Sequence, residues 1–114
     1  MPNPIAEGTL TAAGHGGAET AVHTSTSNRV TQLVVNVDNL VSAETLVVRE
    51  KIKVLTGDSV LLIKSTTLTG ADGGLPGSAL IFQTDPLSSP YGVTYTLHQT
   101  AGTNRDFKYR VDEV

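Results

Sequence analysis

The chain has no cysteine and no tryptophan. The first absence excludes disulfides, thiolate metal sites and cysteine nucleophiles together. The second, with aromatic residues at 4%, leaves the core to Val, Leu and Ile, which bury less area each than rings do. A thin aliphatic core of this kind is often supported by partner subunits. Excess positive charge is missing as well: the net charge is -3 over 114 residues and the pI is near 5.4, so neither nucleic acid nor an anionic membrane is favoured as a partner. No apolar run approaches the length that spans a bilayer, and MPNPIAEGTL opens without the basic and apolar regions of a secretory leader, so the protein is expected to be soluble as made. Helical periodicity over three turns is absent, and no internal repeat is found.

What is present is alternation. The clearest case places Thr31, Leu33, Val35 and Val37 on one face and Gln32, Val34, Asn36 and Asp38 on the other. In TLVVREKIKVL, Leu46, Val48, Ile52 and Val54 share a phase that also turns Glu50 inward and puts Arg49, Lys51 and Lys53 outside. TGD at Thr56 to Asp58 reads as a hairpin turn, with SVLLIKSTTL returning. Further strands are expected over Thr9 to Ala13, Glu19 to Thr26 and Ala79 to Thr84, with DPLSSP as a loop. VTYTLHQTAGTNRDFKYRV closes the chain as a hairpin with Val93, Tyr95, Leu97, Phe107, Tyr109 and Val111 inward. At this length the chain is one domain. The pattern predicts an all-β, single-domain antiparallel β-sandwich of about eight strands, jelly-roll-like or immunoglobulin-like, over residues 9–114. Pro2 and Pro4 hold residues 1–8 extended and deny backbone donors, which predicts an N-terminal arm outside the core. TGADGGLPGS, residues 69–78, is the longest loop and an expected docking element.

Candidate sites of chemistry are few. His15, His23 and His98 lack metal spacing and read as exposed strand and loop residues, so no metal is expected. Glu50 is the one acid that alternation turns inward; Asp72, Asp85 and Asp106 fall in loops. An inward Glu more often pairs with a base such as Lys64 or Arg110, or faces a partner, than acts as a catalyst. No G-x-S-x-G turn is present, and the glycine-rich loop lacks the lysine that a phosphate cradle needs. On the last strand Lys108, Arg110 and Asp112 alternate outward, as charges that guard a sheet edge do. No catalytic residue, cofactor or small-molecule substrate is assigned, and the chain is expected to be non-enzymatic.

The stretch YTLHQTAGTNRDFKYRV, Tyr95 to Val111, resembles the closing segment of small all-β virion structural proteins of tailed bacteriophages. Tyr109 stands where the pattern has a tryptophan, and His98 where it has a lysine. The resemblance implies a virion structural role, most like a capsid decoration or cement protein that is made in the host cytoplasm and ends on the capsid surface. The implied partners are the major capsid protein and further copies of the chain, as a trimer. The residues expected to make the contacts are Pro2, Asn3, Pro4 and Ile5 in the arm and Asp72, Leu75 and Pro76 in the loop. Glu50, Lys108 and Arg110 are the expected subunit interface. A tail or baseplate subunit, or a carbohydrate- or ligand-binding sandwich, is the alternative.

Overall fold

A computed structural model describes residues 3–11, 19–25, 29–38, 40, 44–69, 81–101 and 105–114. Among the described residues nine strands follow one another: β1 (Asn3–Thr11), β2 (Thr20–Ser25), β3 (Arg29–Asn36), β4 (Thr45–Ile52), β5 (Leu61–Thr69), β6 (Ile81–Gln83), β7 (Leu87–Ser89), β8 (Val93–Ala101) and β9 (Asp106–Glu113). They form two antiparallel sheets. One runs β1-β9-β3, with β6 and β7 both lying along the far side of β3, and the other runs β2-β8-β4-β5. The two pack face to face as a β-sandwich, in agreement with the all-β expectation.

The alternation on β3 is the backbone of this arrangement. Thr31, Leu33, Val35 and Val37 are all buried, and the three aliphatics among them meet Leu46 and Val48 of β4, Val93, Tyr95 and Leu97 of β8, and Phe107 and Val111 of β9 in one cluster. Burial of each aliphatic side chain contributes about 1.5–3 kcal/mol. Tyr95 is the single fully buried residue of this cluster that brings a hydroxyl, and that hydroxyl lies 2.8 Å from the Thr31 Oγ1, also buried. The pair removes the penalty that either group would carry alone in the core.

The closing segment is corrected by the topology. β8 pairs with β2 and β4, whereas β9 pairs with β1 and β3, so the two strands lie in different sheets and face each other across the core as an arch. Alternation cannot distinguish the two arrangements, because a period of two reports which face is buried and is silent about which strand lies alongside. The arch has its own ties. The Arg105 backbone N–H donates to the fully buried Gln99 Oε1 at 2.9 Å, and the Arg105 guanidinium donates to both oxygens of the buried Glu44 at 3.0–3.1 Å. A side-chain amide thus takes a backbone N–H that a hairpin ladder would otherwise satisfy, and a carboxylate anchors the arginine side chain.

Two other expectations change. DPLSSP contains β7, so one irregular strand, β6 then β7, edges β3. Between them Thr84 keeps β3 satisfied: its backbone N–H donates to the Leu33 carbonyl at 2.9 Å, its Oγ1 accepts the Leu33 N–H at 3.0 Å, and its carbonyl accepts the Gln32 Nε2 at 2.6 Å. The arm, over its described residues 3–8, is the first part of β1 and pairs with β9 from Asn3 opposite Glu113 onward. Pro4 is compatible with that pairing because β1 is an edge strand and the register shifts between Pro4 and Ala6. Gly8 lets Tyr109 of β9 approach: a Cβ there would stand 3.2 Å from the tyrosine oxygen.

Candidate functional site

The register places one end of both sheets together. β3, β5 and β8 start there, and β4, β7 and β9 finish there, since Ile52 sits opposite Leu61 and Val93 while Arg29 sits opposite Ser89. β4 and β5 continue past that end as a hairpin closed by Leu55 and Asp58. The Asp58 N–H donates to the Leu55 carbonyl at 3.0 Å, and the Leu55 N–H donates to the Asp58 carboxylate at 3.2 Å. This is the turn expected at TGD. β8 begins opposite Ile52, so beyond that pair the hairpin has no described neighbour in its sheet.

The side chains on this hairpin are apolar and bare. Val54 is 72% exposed, Leu55 63%, Leu61 64%, Leu62 53% and Ile63 51%. Val54 was expected inward; it is outside because β4 ends at Ile52 and nothing described lies across from it. Leu61, Leu62 and Ile63 are consecutive, so both faces of the strand are apolar where a solvent-facing sheet would alternate with polar residues. Ile63 is also the residue skipped in the register, Lys64 facing Glu50 and Leu62 facing Lys51. The unbroken run VLLI was the sequence signal for this surface.

Beside the hairpin the two sheets part around a cleft of about 240 Å³ lined by Glu50, Ile63, Lys64, Asp85, Pro86 and Leu87. The break between β6 and β7 opens it. Glu50 is buried, as its phase on β4 required. Burial pushes its carboxyl above the ordinary range; Lys64 opposes that shift and Asp85 adds to it. Lys64 Nζ is 3.3 Å from the Asp85 carboxylate, which is 88% exposed. Tyr95 stands behind Glu50 in the core. Burial raises its hydroxyl pKa most, hydrogen bonds to Thr31 and Thr84 act against that, and Glu50 adds a smaller upward push. Of the two bases expected for Glu50, Lys64 is its cross-strand neighbour but directs its ammonium to Asp85, and Arg110 is engaged with Asp112.

The three residues expected to share a subunit interface are not brought together. Glu50 lies between the sheets, whereas Lys108 and Arg110 are on the outer face of the β1-β9-β3 sheet, around a shallow groove with Glu7 and Val34. Arg110 Nε holds both oxygens of Asp112 at 2.8 and 3.0 Å, and Asp112 is buried rather than solvated. β9 is also flanked on both sides, by β1 and β3, so its charges guard no edge. Asn3 and Pro4 are exposed on β1, and Ile5 packs partly against the core. Pro2, Asp72, Leu75 and Pro76 lie outside the described residues. The described flanks of the glycine-rich loop, Thr69 opposite Thr45 and Ile81 opposite Asn36, lie at the end of the sandwich away from Asn3. The expected arm and loop contacts thus start from opposite ends of the molecule.

Elsewhere, the outer face of the second sheet carries an ion cluster. Glu19 accepts from Arg49 at 2.9 Å, from Thr96 at 3.1 Å and from Lys51. Arg49 and Lys51 do point outward, and they bridge to this acid rather than stand free. His23 and His98 are half-buried, not exposed as expected. Burial, then Arg29, lowers the His23 pKa. The His98 Nε2 is buried without a hydrogen-bond partner. His15 lies outside the described residues, and no group of three metal-ligating side chains converges among the described ones.

The fold and this surface define the protein as an all-β sandwich with a bare apolar hairpin at one end. Compared with known proteins, the chain matches no family model, no curated protein and no solved structure.

Proposed function

We propose that this is a non-enzymatic structural protein that works by assembly contacts, and that its setting is a bacteriophage virion, where it decorates the head shell and stabilises the lattice of the major capsid protein. The observation that carries the assembly reading is the β4–β5 hairpin: a cysteine-free chain with a thin aliphatic core leaves the consecutive aliphatics Leu61, Leu62 and Ile63 more than half in solvent. Contiguous apolar surface of that kind marks a protein contact. The virion setting rests on the resemblance over Tyr95 to Val111. A lattice suits a small sandwich, because many modest contacts add by avidity.

The test is addition of the purified protein to mature phage heads stripped of accessory proteins, followed by co-sedimentation and heat challenge of the heads. Saturable binding with a raised head disruption temperature is expected. Absence of saturable binding overturns the decoration reading.

A second reading, a small-ligand module, is favoured by the cleft over Glu50, whose mixed apolar and acidic lining suits a compact polar ligand. Sugar platforms usually present exposed rings, and Tyr91 is the one aromatic side chain among the large exposed hydrophobic residues. A glycan array without hits disposes of the carbohydrate version.

A further inference from the structure

The four sheet edges among the described residues differ in how they resist pairing. β1 carries Pro4, Glu7 and a register shift. β6 and β7 are three residues each and are interrupted by Pro86. β2 is six residues long with a register shift between Ala21 and His23. Prolines, charges, irregularities and short length are the devices by which edges avoid unwanted partners. β5 is nine residues long with no proline and a single charge, Lys64; its one irregularity is the register shift against β4 at Ile63, and no described strand pairs with its outer side.

We propose that β5 pairs with β5 of a second copy, antiparallel and about a two-fold axis, so that the protein is an isologous dimer joined through a continuous sheet. This rests on the reading of the hairpin as an assembly surface and names its occupant. Two observations select a second copy. The first is charge complementarity within DSVLLIK, Asp58 to Lys64. With Leu61 opposite Leu61 of the second copy, Val60 meets Leu62, and Asp58 at one end of the stretch meets Lys64 at the other, twice over by symmetry. A strand that is acidic at its start, basic at its end and apolar between is complementary to its own reverse, which is the condition an isologous interface imposes. Like charges are never opposed in that register.

The second is area. Val54, Leu55, Leu61, Leu62 and Ile63, each more than half exposed, leave apolar surface bare on both faces of the hairpin, where the largest patch of a typical monomer is about 300–600 Å². A stable interface covers about 800 Å² on each partner. Leu61, Leu62 and Ile63 supply an apolar centre for it, and the β5 main chain with the flanking Lys53, Asp58 and Lys64 supplies a polar rim. Pairing extends β5 back through Ser59 and Val60, which lie between the turn and the strand in the single chain. The resulting two-fold pair takes the place of the trimer that the phage resemblance implied.

The test is molar mass by light scattering over a concentration series, with the full chain and three variants. The wild type is expected at twice 11.9 kDa. Leu61→Lys, which sets two ammonium groups together on the axis, is expected to weaken association at least about tenfold with an unchanged far-ultraviolet circular dichroism spectrum. Lys64→Asp, which opposes Asp58 with an acid, is expected to weaken it, and Asp58→Lys combined with Lys64→Asp is expected to restore it. A wild type that stays monomeric at high concentration, a trimer, or a dimer indifferent to both Leu61→Lys and Lys64→Asp overturns the pairing. Failure of the pairing and of the shell reading separate: a monomer that still saturates heads sinks only the pairing, and a dimer that binds no head sinks only the shell role.

Discussion

β3 and β5 are strands of eight and nine residues with similar aliphatic content, and they meet opposite fates. Thr31, Leu33 and Val35 on the inward face of β3 are buried, while on β5 the three consecutive aliphatics Leu61, Leu62 and Ile63 are more than half exposed and only Leu68 is buried. Residue type does not account for this. β3 lies between β9 and the β6–β7 strand with β8 and β4 across the core, whereas the start of β5 lies at a sheet edge, on a hairpin that outruns its neighbours. A leucine contributes to the stability of a monomer only where another element stands opposite it; elsewhere the same side chain is available to a second molecule.

The same deletion in the two strands tests that contrast most strongly. Leu33→Ala should cost about 2–5 kcal/mol by the lost burial and the cavity left behind, read from the urea midpoint. Next in size, Tyr95→Phe should cost about 1–3 kcal/mol, because it leaves the buried Thr31 hydroxyl without its 2.8 Å partner; a Thr31→Val/Tyr95→Phe double variant should recover part of the loss. If the double variant is no better than the single one, the hydroxyl pair is not what stabilises this part of the core.

A smaller effect is expected at Glu50, on the boundary between the closed and the bare region. Its carboxyl is held above the ordinary value of 4.5 mainly by burial, so the folded state binds the proton more tightly than the unfolded state does. The stability this contributes is fully present below the unfolded pKa and is lost as pH rises through the folded one. Glu50→Gln should flatten that part of the profile and leave the protein more stable than wild type at neutral pH; unfolding midpoints from pH 4 to 8 check it, and a wild-type stability that climbs over the lower part of that range in step with the variant would refute it. The smallest effect belongs to Leu61→Ala, within about 0.5 kcal/mol when measured at concentrations that keep the chain monomeric. A loss there as large as that of Leu33→Ala would mean that the hairpin is covered within the single chain, and the comparison with β3 would collapse.

Much of the fold was legible because burial on one face imposes a period of two that no helix tolerates. Thr31 to Val37, Leu46 to Glu50 and Val93 to Leu97 announced their inward faces, and the turn at Leu55 to Asp58 announced itself by Gly57 and Asp58. Apart from the β4–β5 hairpin, strand partners were not legible. The chemistry of Tyr95 to Val111 is the same whether β8 and β9 lie side by side or face each other, and the residues that decide for the arch, Glu44 and Gln99, come from outside the turn. The buried Asp112 was hidden for a related reason: alternation put it on the outer face, and its ion pair with Arg110, in the middle of a sheet, covers it. Of the candidate surface, VLLI was visible as an uninterrupted run, but a run of that kind marks equally a strand buried on both faces.

By itself, then, the order of residues determined which face of most strands is apolar, where the β4–β5 turn falls and which acid points inward, since those depend on local spacing along one strand. Beyond the β4–β5 hairpin, which strands share a sheet, which edge stays open, and whether an apolar side chain is core or contact surface were decided only by the tertiary structure, because burial is a property of what stands opposite a residue, and in an all-β chain that neighbour is usually distant in sequence.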